Sequence, residues 1–269
     1  MLKSFITSKA PWLLAIPVFI LKYFLVPVMN NRLLAPGKMI GIFGPFKFHP
    51  RFLFRDYSGW GGGHNCGFVS FVNACKGKKC VIDIGGHIGL TAMPAGRMLA
   101  TKGRIYVFEP AETNRAYLSR NIELNGMSNT EVLDMFVGAE CKDGVEFFES
   151  DYDSGLNSFV VRKDKDDFHR VLKKQISLDV FCSERGISPE IIKIDVEGAE
   201  FDVLSGAAEV MRKNRPIIYL SLHPRHIELL GRKPEEIHEI LKRVRYRISN
   251  IDGTEVNKYD LNEYILSPS

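Results

Sequence analysis

The run Cys80-Val81-Ile82-Asp83-Ile84-Gly85-Gly86-His87-Ile88-Gly89 sets the architecture. Residues 79–84 read as a strand buried on both faces, because a parallel strand covered by helices keeps no regular polar face. The strand ends in Gly85, Gly86 and Gly89, positions where the backbone can take positive φ and approach another group closely. Residues 90–100 follow as a helix. A strand, a glycine turn and a helix in that order make the first part of a βαβ unit.

Further along, the same alternation recurs. Residues 104–108 read as a second strand, 114–125 as a second helix closed by Gly126, and 133–139 as a third strand. Residues 145–149 and 158–162, separated by Asp151-Tyr152-Asp153-Ser154-Gly155, read as an added hairpin or flap. Residues 176–182 are a short helix or an extended entry, 191–196 a strongly apolar strand, and 199–211 a helix with Phe201, Val203, Leu204, Ala207, Ala208 and Met211 as its buried stripe. Residues 216–222 form a fifth strand. The helix 234–244 starts with Pro234 and carries Glu235 and Glu236 near its positive end. Residues 246–251 and 264–266 flank the turn Asp252-Gly253. Short apolar runs alternating with amphipathic stretches predict an α/β fold, a doubly wound, mostly parallel sheet ending in an antiparallel strand.

In such a sheet a ligand sits at the carboxyl ends of the strands, where strand order reverses. The glycine turn marks that place, with Gly85, Gly86 and Gly89 as backbone contacts and Asp83 as a carboxylate for a positively charged group. One strand later, Glu109 is placed to accept two ribose hydroxyls, followed by Pro110. A dinucleotide site shares the acidic residue but needs G-x-G-x-x-G, and Asp83 would repel a pyrophosphate. A sulfonium bearing an ammonium group has the opposite preference, which favours S-adenosylmethionine.

Several of these segments resemble the FkbM-type methyltransferases. The resemblance lies in residues 81–90, in Val107-Phe108-Glu109-Pro110, in residues 121–126 and in Ser177-Leu178-Asp179. Above all it lies in Lys193-Ile194-Asp195-Val196-Glu197-Gly198-Ala199-Glu200, followed by Val203-Leu204. It covers roughly residues 78–224. It implies a Rossmann-like class I methyltransferase fold with a mostly parallel seven-stranded sheet and an antiparallel last strand. It also implies S-adenosylmethionine as donor and O-methylation of a sugar, glycolipid, lipid or secondary metabolite. The family often has Glu-x-His after the fifth strand, whereas this chain has Ser221-Leu222-His223, keeping only the histidine.

Methyl transfer to a hydroxyl needs alignment and a base. The candidates after the fourth and fifth strands are Asp195, Glu197 and His223, and an ordinary imidazole titrates near 6.5, so it accepts a proton at neutral pH without special tuning. The alternatives are structural: Glu197 as a cap for the following helix, Asp195 as a partner for loop amides, His223 as a packing residue beside Pro224. No metal site is read; Asp195 leaves a divalent cation open as an alternative. Trp60-Gly61-Gly62-Gly63-His64-Asn65 reads as a lid over the ligand or a wall of the acceptor pocket, through Trp60, His64 and Asn65. Lys193 reads as structural, and His87 as facing the first helix.

Residues 10–29 are the most apolar stretch, with Trp12, Phe19, Tyr23 and Phe24 among aliphatic residues. Lys22, Pro11, Pro17 and Pro27 argue against a simple span and for an apolar helical segment in contact with a membrane. The expected division is residues 1–48, an apolar segment and linker, and residues 49–269, the methyltransferase domain. A net charge of +4 spread along the chain gives no reason to expect nucleic acid, and five cysteines without a C-x-x-C pair fit a reducing compartment. The partners expected are a small-molecule or lipid-linked acceptor and a membrane surface, with a cytoplasmic, membrane-associated location. The competing reading is a catalytically inactive, membrane-attached Rossmann-like interaction module.

Overall fold

The structure is a computed structural model and describes residues 37–150 and 168–269. The apolar segment 10–29 and the expected strand 158–162 lie outside the described residues. A hairpin of β1 (Lys38–Ile40) and β2 (Phe43–Phe46) comes first, then helix α1 (Phe68–Ala74). The central unit runs β3 (Cys80–Ile84), α2 (Ala92–Met98), β4 (Arg104–Phe108), α3 (Glu112–Leu124) and β5 (Thr130–Leu133). A small sheet follows, made of β6 (Phe136–Val137), β7 (Lys142–Ser150) and β8 (Phe168–Ile176). The second half contains α4 (Leu178–Arg185), β9 (Ile191–Ile194), α5 (Glu200–Ser205), α6 (Ala208–Asn214), β10 (Ile217–Leu222), α7 (Pro224–Leu229), α8 (Ile237–Val244), β11 (Tyr246–Asn250) and β12 (Asn262–Pro268).

The main sheet has seven strands in the order β11-β12-β10-β9-β3-β4-β5. β12 is antiparallel to both of its neighbours, while β10, β9, β3, β4 and β5 pair in parallel. Order reverses between β3 and β9, the expected crevice. Every residue of β3 and β9 is buried. Their side chains alternate between two cores: Ile82, Ile84, Ile192 and Ile194 belong to one, Val81 and Ile191 to the other. Helices cover both faces. On α8, Ile237, Leu241 and Val244 are buried at helical spacing, each stabilising the fold by roughly 1.5–3 kcal/mol.

Local chemistry explains where elements stop. Ser177 caps α4 by accepting from Val180 N–H, and Gly186 ends it at φ 61°. Several expected boundaries move. The helix read over 199–211 breaks into α5 and α6 at Gly206-Ala207, where the Gly206 carbonyl accepts from Asp179 N–H and Val210 N–H donates to Asp179 Oδ1 in place of a helical bond. The third strand is Thr130–Leu133, with Phe136–Val137 diverted to the small sheet. β7 pairs antiparallel with β8, Phe168–Ile176, while the expected second arm at 158–162 lies outside the described residues. The compact fold also begins before His49: Ile40 and Phe46 are buried in the core that holds Phe68 and Val81. No helix among the described residues is long and apolar enough to cross a membrane.

Candidate functional site

At the carboxyl edge of β3, β4, β9 and β10 lies a cavity of about 300 Å³. One end is the glycine turn, with Gly85, Gly86, His87, Glu109 and Pro110. The other holds Asp195, Glu197, Ser221 and His223. Met135, Phe136 and Phe147 form an apolar wall, and Trp60, His64 and Asn65 stand opposite with Leu261 and Asn262. Three segments expected from sequence to serve one ligand therefore converge. Asp83 and Gly89 do not line the cavity. Asp83 lies beneath it, 1% exposed, and its Oδ2 accepts from Thr91 Oγ1, 2.7 Å away, while Thr91 does line the wall.

The turn is built around Gly85. Its φ is 92°, and a Cβ there would stand 1.9 Å from the Asp195 carbonyl oxygen. The missing side chain lets the β3 and β9 loops touch, and Gly85 also lines the cavity. Glu109 holds the other side of the turn: its Oε2 accepts from His87 N–H at 2.7 Å and its Oε1 from Ala111 N–H at 3.0 Å. His87, with φ 48°, is among the residues lining the cavity.

Burial lifts the Glu109 carboxyl to about 7, against the pull of those two N–H groups. Asp83 is likewise lifted by burial to about 6, although Thr91 and Lys193 draw it down. Asp83 Oδ1 is buried with no hydrogen-bond partner. Two carboxyls poised between neutral and charged beside one cavity are suited to a cationic occupant, which would favour their ionised forms.

On the other side, strand alternation sends a polar row toward one face of an otherwise apolar sheet. Asp83 is in register with Lys193, and Ser221 with Glu263. Lys193 is 1% exposed, and its Nζ reaches Ser221 Oγ at 2.6 Å, Asp195 Oδ2 at 3.1 Å and Glu263 Oε1 at 3.0 Å. Burial penalises its charge, but Asp195 and Glu263 outweigh that and hold the ammonium above its ordinary value. Burial also works to raise Asp195, yet Lys193 and His223 keep it below the usual carboxylate range. Lys193, read from sequence as structural, does not line the cavity and holds Asp195, Ser221 and Glu263 together behind its wall. Glu263 Oε2 accepts from Gly67 N–H at 2.6 Å, tying the segment that carries Trp60, His64 and Asn65 to β12. Opposite Ser221, this carboxylate stands where the expected Glu-x-His acid is missing.

His223 Nε2 lies 3.7 Å from Asp195 Oδ1 and 3.6 Å from Glu197 Oε1, and Nδ1 lies 2.7 Å from Glu200 Oε1. Burial would lower the imidazole, but Glu200, Asp195 and Glu197 together raise it to about 9. The expectation of an untuned histidine is therefore corrected: in this setting it is a cation at neutral pH. Glu197 adopts φ 53° and contacts His226 Nδ1 through Oε2 at 3.0 Å. The residue at the N-cap position of α5 is Ala199. No group of three His, Cys, Asp or Glu side chains among the described residues is arranged to hold a metal ion.

The family model for the methyltransferase FkbM domain matches residues 83–248, from Asp83 of the glycine strand through both ends of the cavity. The chain belongs to this family. It therefore carries a methyltransferase domain, and its fold is the Rossmann-like α/β arrangement expected. Among solved structures, a methyltransferase FkbM from Methylobacillus flagellatus KT is similar at 20% identity and TM-score 0.47, over 71% of this chain and 44% of that one. The chain thus spans less than half the length of that relative. An rRNA methylase from Streptococcus thermophilus is similar at 9% identity and TM-score 0.42, over 76% of this chain and 96% of that one. A SAM dependent methyltransferase from Aquifex aeolicus is similar at 12% identity and TM-score 0.40, over 74% of this chain and 88% of that one. No curated protein matches the chain.

The sequence did not point to Thr91, Glu200, Asn262 and Glu263, to Ser221 as a wall, or to the apolar wall of Met135, Phe136 and Phe147. Glu200 had a signal. It sits on the buried stripe with Phe201, Val203 and Leu204, and a carboxylate on an apolar face needs a partner.

Proposed function

We propose that this member of the FkbM family is an S-adenosylmethionine-dependent O-methyltransferase acting on a hydroxyl of a sugar, glycolipid, lipid or secondary metabolite. The observation that carries this reading is the single cavity joining the glycine turn and Glu109 to Asp195, Glu197 and His223. The residues present suit the donor. Glu109 offers acceptor oxygens for ribose hydroxyls, the apolar wall of Phe108, Met135 and Phe136 suits a purine, and Asp83 with Thr91 supplies negative potential under a cationic amino acid portion. When bound, the donor supplies an electrophilic methyl group. His223 Nε2 would take the hydroxyl proton as the oxygen gains the methyl and the methyl–sulfur bond breaks to leave a neutral thioether, while Asp195 and Glu197 accept hydrogen bonds from the acceptor and orient it.

The donor assignment is tested by calorimetry on the full chain. Unmodified protein should bind S-adenosylmethionine, and Asp83→Ala and Glu109→Ala should each weaken it about tenfold or more, the scale of a hydrogen bond to a charged group. Intact protein that takes up no donor would overturn the reading. Product masses formed from cell extracts lacking this protein would then identify the acceptor.

The apolar segment 10–29 supports a second element of the proposal, contact with a membrane that brings a lipid-linked acceptor to the cavity. Removing residues 1–30 should shift the protein from the membrane fraction to the soluble fraction. Identical partitioning of the truncated and full chains would sink it.

A further inference from the structure

We infer that Glu200 is the positioning residue for His223, fixing the hydrogen on Nδ1 so that Nε2 is the nitrogen presented to the cavity. The inference deepens the proposed role of His223 as proton acceptor, but the contacts that carry it involve no ligand. Glu200 opens α5 and is 0% exposed. Its Oε1 lies 2.7 Å from His223 Nδ1 and also accepts from Gly198 N–H at 3.1 Å. An oxygen that already accepts from a backbone N–H is acting as an acceptor, so the hydrogen in the short contact belongs to Nδ1. Glu200 Oε2 is buried with no hydrogen-bond partner. A carboxyl group is a costly means of satisfying one backbone N–H in an apolar core, where a neutral amide would do. Its placement is accounted for by the imidazole.

The rest of the surroundings agree with this orientation. Asp195 and Glu197 face Nε2 from the loop after β9. From α7, the His226 ring stacks on His223 with centroids 5.8 Å apart and planes 10° from parallel, which restrains rotation of the ring. From β9, Lys193 is engaged by Asp195, Ser221 and Glu263. The Nδ1 edge is thus turned to a buried acceptor and the Nε2 edge to the cavity. This is the division of labour by which a second carboxylate selects a histidine tautomer.

The test is imidazole nitrogen NMR of the ¹⁵N-labelled full chain without ligand, with the His223 signals assigned by their absence in His223→Gln. In the unmodified chain, neutral His223 should carry its hydrogen on Nδ1. In Glu200→Gln, which keeps the shape and the acceptor for Gly198 N–H, the His223 titration midpoint should fall by about one pH unit or more. Neutral His223 with its hydrogen on Nε2 would overturn the inference, as would an unchanged midpoint in folded Glu200→Gln. The tautomer measurement needs no variant, so a Glu200→Gln chain that does not fold leaves it decisive. Since no methyl donor is present, a failure here is separate from a failure of donor binding.

Discussion

His223→Gln is expected to slow methyl transfer by about 10²–10⁴-fold, the usual contribution of a positioned base, while donor affinity stays near that of the unmodified chain. The pH dependence distinguishes this from a packing defect. Only neutral imidazole accepts a proton, and His223 is raised to about 9, so at neutral pH most of the protein holds it charged. The transfer rate should therefore rise with pH until His223 has titrated, and His223→Gln should lose that rise. Bound donor, being cationic, moves the midpoint downward. The same shift bears on stability. The folded value lies above the ordinary imidazole value of 6.5, so the stability His223 contributes is complete below about 6.5 and is lost as pH rises through about 9. Rates measured by product mass over that range decide the matter. A glutamine variant as fast as the unmodified chain at every pH would remove His223 from the chemistry.

Gly85→Ala should be the most damaging single methyl group in the protein. Alanine is strained at φ 92°, and its Cβ would fall 1.9 Å from a backbone oxygen that cannot swing aside as a side chain can. Strain and overpacking together cost about 2–6 kcal/mol. For a domain of this size each kcal/mol lowers Tm by about 2–4 °C. Because the contact joins the turn after β3 to the loop after β9, donor binding should suffer along with stability. Gly126→Ala is the control: φ is 62°, but nothing lies within 4 Å of the added carbon. Thermal unfolding showing equal losses for the two would refute the close-contact account.

How legible the fold and site were follows from the range over which each signal acts. β3, β9 and the glycine turn declare themselves locally, since buried strands are uninterrupted apolar runs and turns need glycine. Glu109 and the pair Asp195 and Glu197 follow from position on strand ends. The step between α5 and α6 did not show, because it depends on Asp179, distant in sequence, which donates to the Gly206 carbonyl and accepts from Val210 N–H. Glu263 was invisible for a similar reason: only strand register sets it beside Ser221. The altered titration of His223 is likewise a tertiary property, produced by three carboxylates from one loop and helix closing on one ring. Lys193, Asp83 and Ser221 did leave a trace, each being a polar interruption in a buried strand.

The link from Glu263 to Gly67 and Lys193 has a consequence for biogenesis. The glycine turn, Glu109 and the apolar wall all lie before residue 148 in the chain. The support behind Asp195 and the tether of the Trp60 segment wait for β12, which inserts between β10 and β11 only after both have been made. In chain order the residues of the glycine-turn end therefore precede those of the Asp195 end. The end of the cavity that holds Asp195, Glu197 and His223 is completed last, by the strand that closes the sheet.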